Sequence, residues 1–229
     1  MLKYAIFDLD DTLLDFTRGE NEGITHLLKK YGVTDIQAGF KTYLNINHAV
    51  WQAIEQGAPR EQLLNERFTR TFAAMGLAVD GATVEEQYNV ILDHNYYILA
   101  GADSLLQTLR AAGLTLVVAT NGTKSIQLNR LNGSGLRQHF DSLFISEDIG
   151  YTKPDSRFFA PIFRHYPDLT SANTLMIGDR LQSDILGARN AQLHNVWFNP
   201  QHHVNQLDFQ PTYEVTSYRD LQQLLLAEV

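Results

Sequence analysis

The sequence predicts an α/β fold in which a parallel sheet carries helices on both faces and an all-helical domain is inserted near the start. Three observations predict it. Short apolar runs recur along the chain, helical stretches separate them, and the alternation breaks over one long helical interval directly after the first run. Residues 4–9 form a short apolar run ending in acids, which reads as a buried strand. Similar runs follow at 114–119, 142–145, 174–177 and 195–198, and helix-like stretches at 102–112, 124–131, 157–165 and 183–191 lie between them. Strands alternating with helices at this spacing build a parallel, Rossmann-like sheet, with ligands expected at the carboxyl ends of its strands. The interval 15–98 shows helical periodicity and no strong strand, with helices expected at 22–31, 40–56, 60–75 and 84–97. The expected domains are therefore 1–14 with 99–229, and 15–98. An insert that leaves and rejoins the sheet beside residue 8 is well placed to serve as a lid.

Bulk properties narrow the chemistry. The chain has 229 residues, 44% of them hydrophobic and 19% charged, enough for one substantial core and a smaller appended domain. A formal net charge of −8 argues against a nucleic-acid polymer as partner, because phosphate backbones are held by clustered Lys and Arg. The absence of cysteine removes disulfides, thiolate catalysis and cysteine-ligated zinc, and fits a reducing cytoplasm. No stretch approaches the ~20 apolar residues of a membrane helix, and the N-terminal apolar run is too short for a signal peptide. A soluble, cytoplasmic, unprocessed protein without a membrane partner is expected.

Four polar motifs follow the ends of these strands. The first is Asp8-Leu9-Asp10-Asp11-Thr12. A chain turning out of a strand can aim Asp8 and Asp10 into one pocket, where Asp8 could attack phosphorus and Asp10 could protonate the leaving oxygen and then activate water. Such an attack needs a cation, and Mg²⁺ suits carboxylate, carbonyl and phosphate oxygens. A turn or helix cap is the alternative for this acidic run. The second motif, Thr120-Asn121-Gly122, could hold phosphate oxygens through its hydroxyl, amide and turn backbone; an ordinary Asn-Gly turn is the alternative. The third, Lys153-Pro154, holds a lysine in extended backbone, where it could neutralise Asp8 and an incoming phosphoryl group or stand as a surface charge. The fourth, Gly178-Asp179-x4-Asp184, offers Asp179 as a metal ligand and Asp184 as a second supporting acid or a helix cap.

In this order, one motif per strand, the residues resemble those of the haloacid dehalogenase superfamily of phosphatases. Asp8, Asp10 and Thr12 match its first motif, Thr120 its second, Lys153 its third, and Asp179 with Asp184 its fourth. The helical insert resembles its C1-type cap. The resemblance implies a Mg²⁺-dependent phosphomonoesterase with Asp8 as nucleophile and Asp10 as general acid/base. It implies metal binding by Asp8, the backbone carbonyl of Asp10 and Asp179, with Asp184 orienting Lys153 or reaching the metal through water. Thr12, Thr120, Asn121 and Lys153 are the expected phosphate-binding residues. The dehalogenase branch lacks the carboxylate at Asp10, so its presence favours phosphoryl chemistry.

Within the insert, Tyr43, Asn47, Trp51 and Glu55, followed by Arg67-Phe68, resemble the cap of a bacterial pyrimidine 5'-nucleotidase family, as do Asp15-Phe16 and Val196-Trp197-Phe198-Asn199. That resemblance implies a nucleoside monophosphate substrate, with Tyr43, Asn47 and Trp51 as candidate substrate contacts. Aromatic faces can stack on a base and an Asn amide can pair with its edge, although aromatics at helical spacing also serve as plain core. Gln192 stands where the family commonly has glycine, and Ser156 where it often has proline. A phosphatase of a sugar phosphate or of phosphoglycolate, a phosphomutase, a haloacid dehalogenase, and a receiver-like module phosphorylated without turnover are the rival readings.

Overall fold

A computed structural model describes residues 1–227, and the chain divides into two compact units, 1–15 with 96–227 and 16–95. In the first, β1 (Tyr4–Phe7) is followed, after the helical unit, by α5 (Ala102–Ala111), β2 (Thr115–Thr120), α6 (Lys124–Gly133), β3 (Ser142–Ile145), α7 (Ser146–Ile149), α8 (Ala160–His165), β4 (Thr174–Gly178), α9 (Leu186–Asn190), β5 (His194–Phe198), β6 (Tyr213–Val215) and α10 (Tyr218–Ala227). The six strands form one parallel sheet in the order β3-β2-β1-β4-β5-β6.

Alternate residues of β1 feed two apolar layers. Ala5 and Phe7 join a cluster with Leu105, Leu106 and Leu109 of α5 and Leu221 and Leu225 of α10, while Tyr4 and Ile6 join one with Phe158, Ile162 of α8 and Ala188 of α9. Both faces are covered by helices, so β1 is buried throughout and its sequence is continuously apolar rather than alternating. Each fully buried Leu, Ile or Phe in these layers contributes roughly 1.5–3 kcal/mol.

The second unit holds α1 (Phe16–Lys30), α2 (Ile36–Glu55), α3 (Arg60–Ala73) and α4 (Gly81–Asp93). Asp35 caps α2 by accepting from the Ala38 amide, and Asp80 caps α4 by accepting from the Ala82 amide. The helices bury Leu27, Leu28, Tyr43, Ile54, Phe68, Phe72, Val84 and Tyr88. Among the described residues no helix is long and apolar enough to cross a membrane.

Several element boundaries differ from expectation. The first strand ends at Phe7 rather than at Leu9, because the Leu9 carbonyl accepts from the amides of Thr12, Leu13 and Leu14 and so folds the chain into a tight turn. Asp11 takes a left-handed φ of 55° in that turn, a conformation Asp tolerates better than most residues. The helix expected to reach residue 97 stops at Asp93, and Tyr97 instead accepts from the Asp15 amide. The stretch after Lys153-Pro154 begins with a 3₁₀ turn, Ser156–Phe159, before α8. The sixth strand was not expected, since Tyr213-Glu214-Val215 is too short to form an apolar run.

Candidate active site

Asp8, Thr120 and Asp179 lie at the carboxyl ends of β1, β2 and β4, three adjacent parallel strands. The Asp8 amide donates to the Ile177 carbonyl at 2.9 Å, so ladder pairing holds its backbone although the strand proper has ended. A central strand flanked by β2 and β4 is where an open α/β sheet presents its ligand crevice.

Lys153 is the hub. Its ammonium, 1% exposed, donates to Asp8 Oδ1 at 2.7 Å, Asp184 Oδ1 at 2.6 Å and the Ala119 carbonyl at 2.6 Å. All three ammonium donors are thereby used. Burial works against its charge, but the Asp184 and Asp8 carboxylates outweigh it and hold its pKa above the ordinary lysine value. Lys153 is thus a buried charge fixed between two acids, and the surface-charge alternative falls away.

Asp184 sits in a π-helical turn, Leu181–Ile185, that leads into α9. Its second oxygen accepts from the Arg180 amide at 3.0 Å, so it supports Lys153 and organises its own turn together. The close approach explains Gly178: a Cβ there would lie 2.4 Å from the Asp184 side chain. Thr12 is fully buried and donates to Asp179 Oδ1 at 3.3 Å. The Trp197 indole donates to the Asp179 carbonyl at 2.8 Å.

Asp8, Asp179 and Asp184 each place a carboxylate oxygen within 4.8 Å of the others. Asp8 and Asp184 are buried, Asp179 is half-buried, and the Lys153 ammonium bonds to the first two. Burial pushes the Asp8 pKa up to about 7, with Lys153 opposing and Asp184 and Asp10 adding to the rise. Burial, then the charges of Asp184, Asp8 and Asp11, pushes Asp179 well above the usual carboxylate range. An all-oxygen donor set short of positive charge fits a hard divalent cation.

Asp10 has its own set of partners. Its two oxygens accept from Arg130 Nη1 at 2.5 Å and from Gln127 Nε2 at 3.0 Å, and its carboxylate is outside the three-acid cluster. Gln127 Nε2 also donates to Thr120 Oγ1 at 3.1 Å, which links the first and second motifs through α6. Asn121 is committed to the backbone of Lys153, through its Oδ1 and its Nδ2. Arg130 and Gln127 belong to none of the four sequence motifs. The available signal was a helix directly after Thr120 whose inward face carries an amide and a guanidinium three residues apart beside Ile126 and Leu131.

In the helical unit, Tyr43 is fully buried and donates to Glu20 Oε1 at 3.1 Å, with its ring stacked on Phe68. Asn47 joins the same cluster, donating to Glu20 and accepting from Arg67 Nη1 at 2.8 Å. Trp51 is half-buried, with the Arg60 guanidinium 5.2 Å from its ring centre. Tyr43 and Asn47 therefore have structural partners, and Trp51 stays partly exposed.

Residues 2–192 match the haloacid dehalogenase-like hydrolases. The chain is 42% identical over 220 residues to pyrimidine 5'-nucleotidase PynA of Streptococcus pneumoniae, covering 96% of this chain and 93% of that one. It is 33% identical to pyrimidine 5'-nucleotidase YjjG of Escherichia coli, covering 97% of each. Among solved structures, the putative HAD-hydrolase YfnB of Bacillus subtilis, bound to magnesium, superposes with a TM-score of 0.91 at 33% identity over 98% of both chains. With these likenesses spanning nearly its whole length, the chain belongs to the haloacid dehalogenase-like hydrolase family.

Proposed function

We propose that the protein is a Mg²⁺-dependent phosphoric monoester hydrolase that works through a phospho-aspartyl intermediate on Asp8, with (deoxy)pyrimidine nucleoside monophosphates as substrates. The observation that carries the chemistry is the Lys153 ammonium set between Asp8 and Asp184 beside Asp179. The likeness to two pyrimidine 5'-nucleotidases supports the substrate class.

Asp8, Asp179, Asp184 and the backbone carbonyl of Asp10 are the groups proposed to hold the metal. Bound there, Mg²⁺ supplies positive charge that offsets the repulsion between an anionic nucleophile and an anionic phosphate. Asp8 attacks phosphorus in line, forming the Asp8 oxygen–phosphorus bond as the bond to the ester oxygen breaks. Asp10 gives its proton to that departing oxygen. Asp10, now ionised, takes a proton from water, which attacks phosphorus and frees Asp8 and inorganic phosphate. Lys153 neutralises charge building on the phosphoryl group, and the Thr120 hydroxyl binds one of its oxygens. A dehalogenase attacking carbon has no use for Asp10 as proton donor, and the carboxylate is present.

The test is phosphate release from UMP, dUMP, dTMP, AMP, GMP, phosphoglycolate and hexose phosphates, with and without Mg²⁺. A clear preference for the pyrimidine monophosphates, lost on chelation, is expected. Equal turnover of sugar phosphates removes the nucleotidase assignment and leaves the phosphatase. Full activity in Asp8→Asn removes the covalent mechanism.

A further inference from the structure

We infer that Arg130 and Gln127 of α6 are positioning residues for Asp10, and that they tie its orientation to the phosphate-binding Thr120. The inference rests on the reading of Asp10 as general acid/base. Each Asp10 oxygen has its own donor, Arg130 Nη1 at 2.5 Å on Oδ1 and Gln127 Nε2 at 3.0 Å on Oδ2. Two donors from one helix fix both the direction of the carboxylate and its rotation, and each oxygen keeps a lone pair for the proton it must carry. The donors are locked to each other, since Arg130 Nη1 also reaches Gln127 Oε1 at 3.1 Å, and Gln127 Nε2 continues to Thr120 Oγ1 at 3.1 Å.

The burial is one-sided. The Arg130 side chain is 1% exposed and the Asp10 side chain 27%, so a buried anchor holds a carboxylate that still has an open face. Burying a guanidinium is expensive, and an apolar side chain of similar volume would stabilise the fold at least as well. Precision at Asp10 gives the charge a purpose that packing does not. The backbone makes room for the same link: a Cβ on Gly122 would lie 2.6 Å from Gln127 Nε2 and 2.7 Å from its Cγ. Asp10 itself follows a strand end and precedes the left-handed Asp11 in a tight turn.

The experiment is single-turnover cleavage, enzyme in excess with Mg²⁺, of two probes. The nucleoside hydroxyl of dUMP needs a proton to leave, whereas the p-nitrophenolate of p-nitrophenyl phosphate does not. Arg130→Met is expected to slow dUMP cleavage about 10²-fold, and to slow p-nitrophenyl phosphate cleavage at least about tenfold less. Arg130→Lys should recover part of the dUMP rate. Gln127→Leu should show the same asymmetry at smaller size, and carries the test if Arg130→Met loses its wild-type circular dichroism. Equal slowing of both probes by folded variants overturns the inference, because a structural defect at Asp8 or Lys153 does not distinguish leaving groups. If Asp10→Asn cleaves dUMP at the wild-type rate, the reading of Asp10 fails and the inference falls with it. Phosphoenzyme that forms normally while both Arg130→Met and Gln127→Leu keep wild-type dUMP rates overturns the inference alone.

Discussion

Asn121 clasps Lys153 at both ends of one backbone unit: its Nδ2 donates to the Lys153 carbonyl and its Oδ1 accepts from the Lys153 amide, each at 2.8 Å. The lysine side chain thus starts from a fixed backbone and ends on three fixed acceptors. An Asn-Gly pair at the end of β2 reads locally as a turn, yet its amide serves a residue 32 positions away.

Asn121→Ala should therefore misplace the Lys153 ammonium, and kcat should fall about 10–10²-fold because small displacements of a charge-stabilising group are costly. Asn121→Asp should do no better, since a carboxylate cannot donate to the Lys153 carbonyl. Steady-state kinetics on the preferred monophosphate decides this. Wild-type kcat in Asn121→Ala would mean that Asp8 and Asp184 hold the lysine unaided.

The acid cluster predicts how the metal-free protein responds to pH. Asp8, at about 7, and Asp179 both hold their protons more tightly folded than unfolded. A carboxyl with a raised pKa contributes stability that is present below its unfolded value of about 4 and lost as pH rises through its folded value. In EDTA the thermal midpoint should therefore decline between about pH 4 and 7. Mg²⁺ held by the ionised carboxylates, as proposed, should raise the midpoint more at pH 8 than at pH 5. A metal effect independent of pH would show that these acids are not the ligands.

The sheet was legible because its central strands are buried on both faces, which makes β1, β2 and β4 largely continuous apolar runs, and because polar residues or glycine follow these runs where the backbone leaves the sheet. Asp8 and Asp179 were legible because strand ends are local signals, and Lys153 and Asp184 because each lies in a short local motif just beyond a strand; the fold brings the four together. Arg130 was not, since an arginine in a helix is ordinary until the helix is docked and its inward face is known. The boundaries of β1 and α4 escaped because hydrogen bonds from distant or turn residues end them, and propensity does not record those.

Within residues 16–95, Arg67 and Glu85 form a bidentate pair at 2.8 Å on both arms, each side chain about 5% exposed, with Arg67 lying over the rings of Phe68 and Tyr88. Glu85→Ala leaves the guanidinium buried and uncompensated, and should destabilise this unit by about 3–5 kcal/mol. Arg67→Met with Glu85→Leu should recover much of that loss. Hydrogen exchange on the full chain reads the effect locally, with protection falling over α3 and α4 in the single variant. Unchanged protection would mean that water reaches the exposed charge.

Gln192 ends the turn after α9 with a φ of 57°. Its amide donates to the Arg189 carbonyl and the Leu193 amide to that of Ala188, the bonding that closes a helix with a left-handed residue. A side chain with a Cβ costs roughly 1–2 kcal/mol in this region, whereas glycine enters it freely but loses more entropy on folding, roughly 0.5–1 kcal/mol. The Gln192 side chain is exposed, so its removal sacrifices little packing. Gln192→Gly should therefore stabilise the protein by about 0.5 kcal/mol and raise its thermal midpoint by about 1–2 °C, with kcat unchanged. A lower midpoint would show that the unfolded-state entropy of glycine outweighs the relief of strain at this turn.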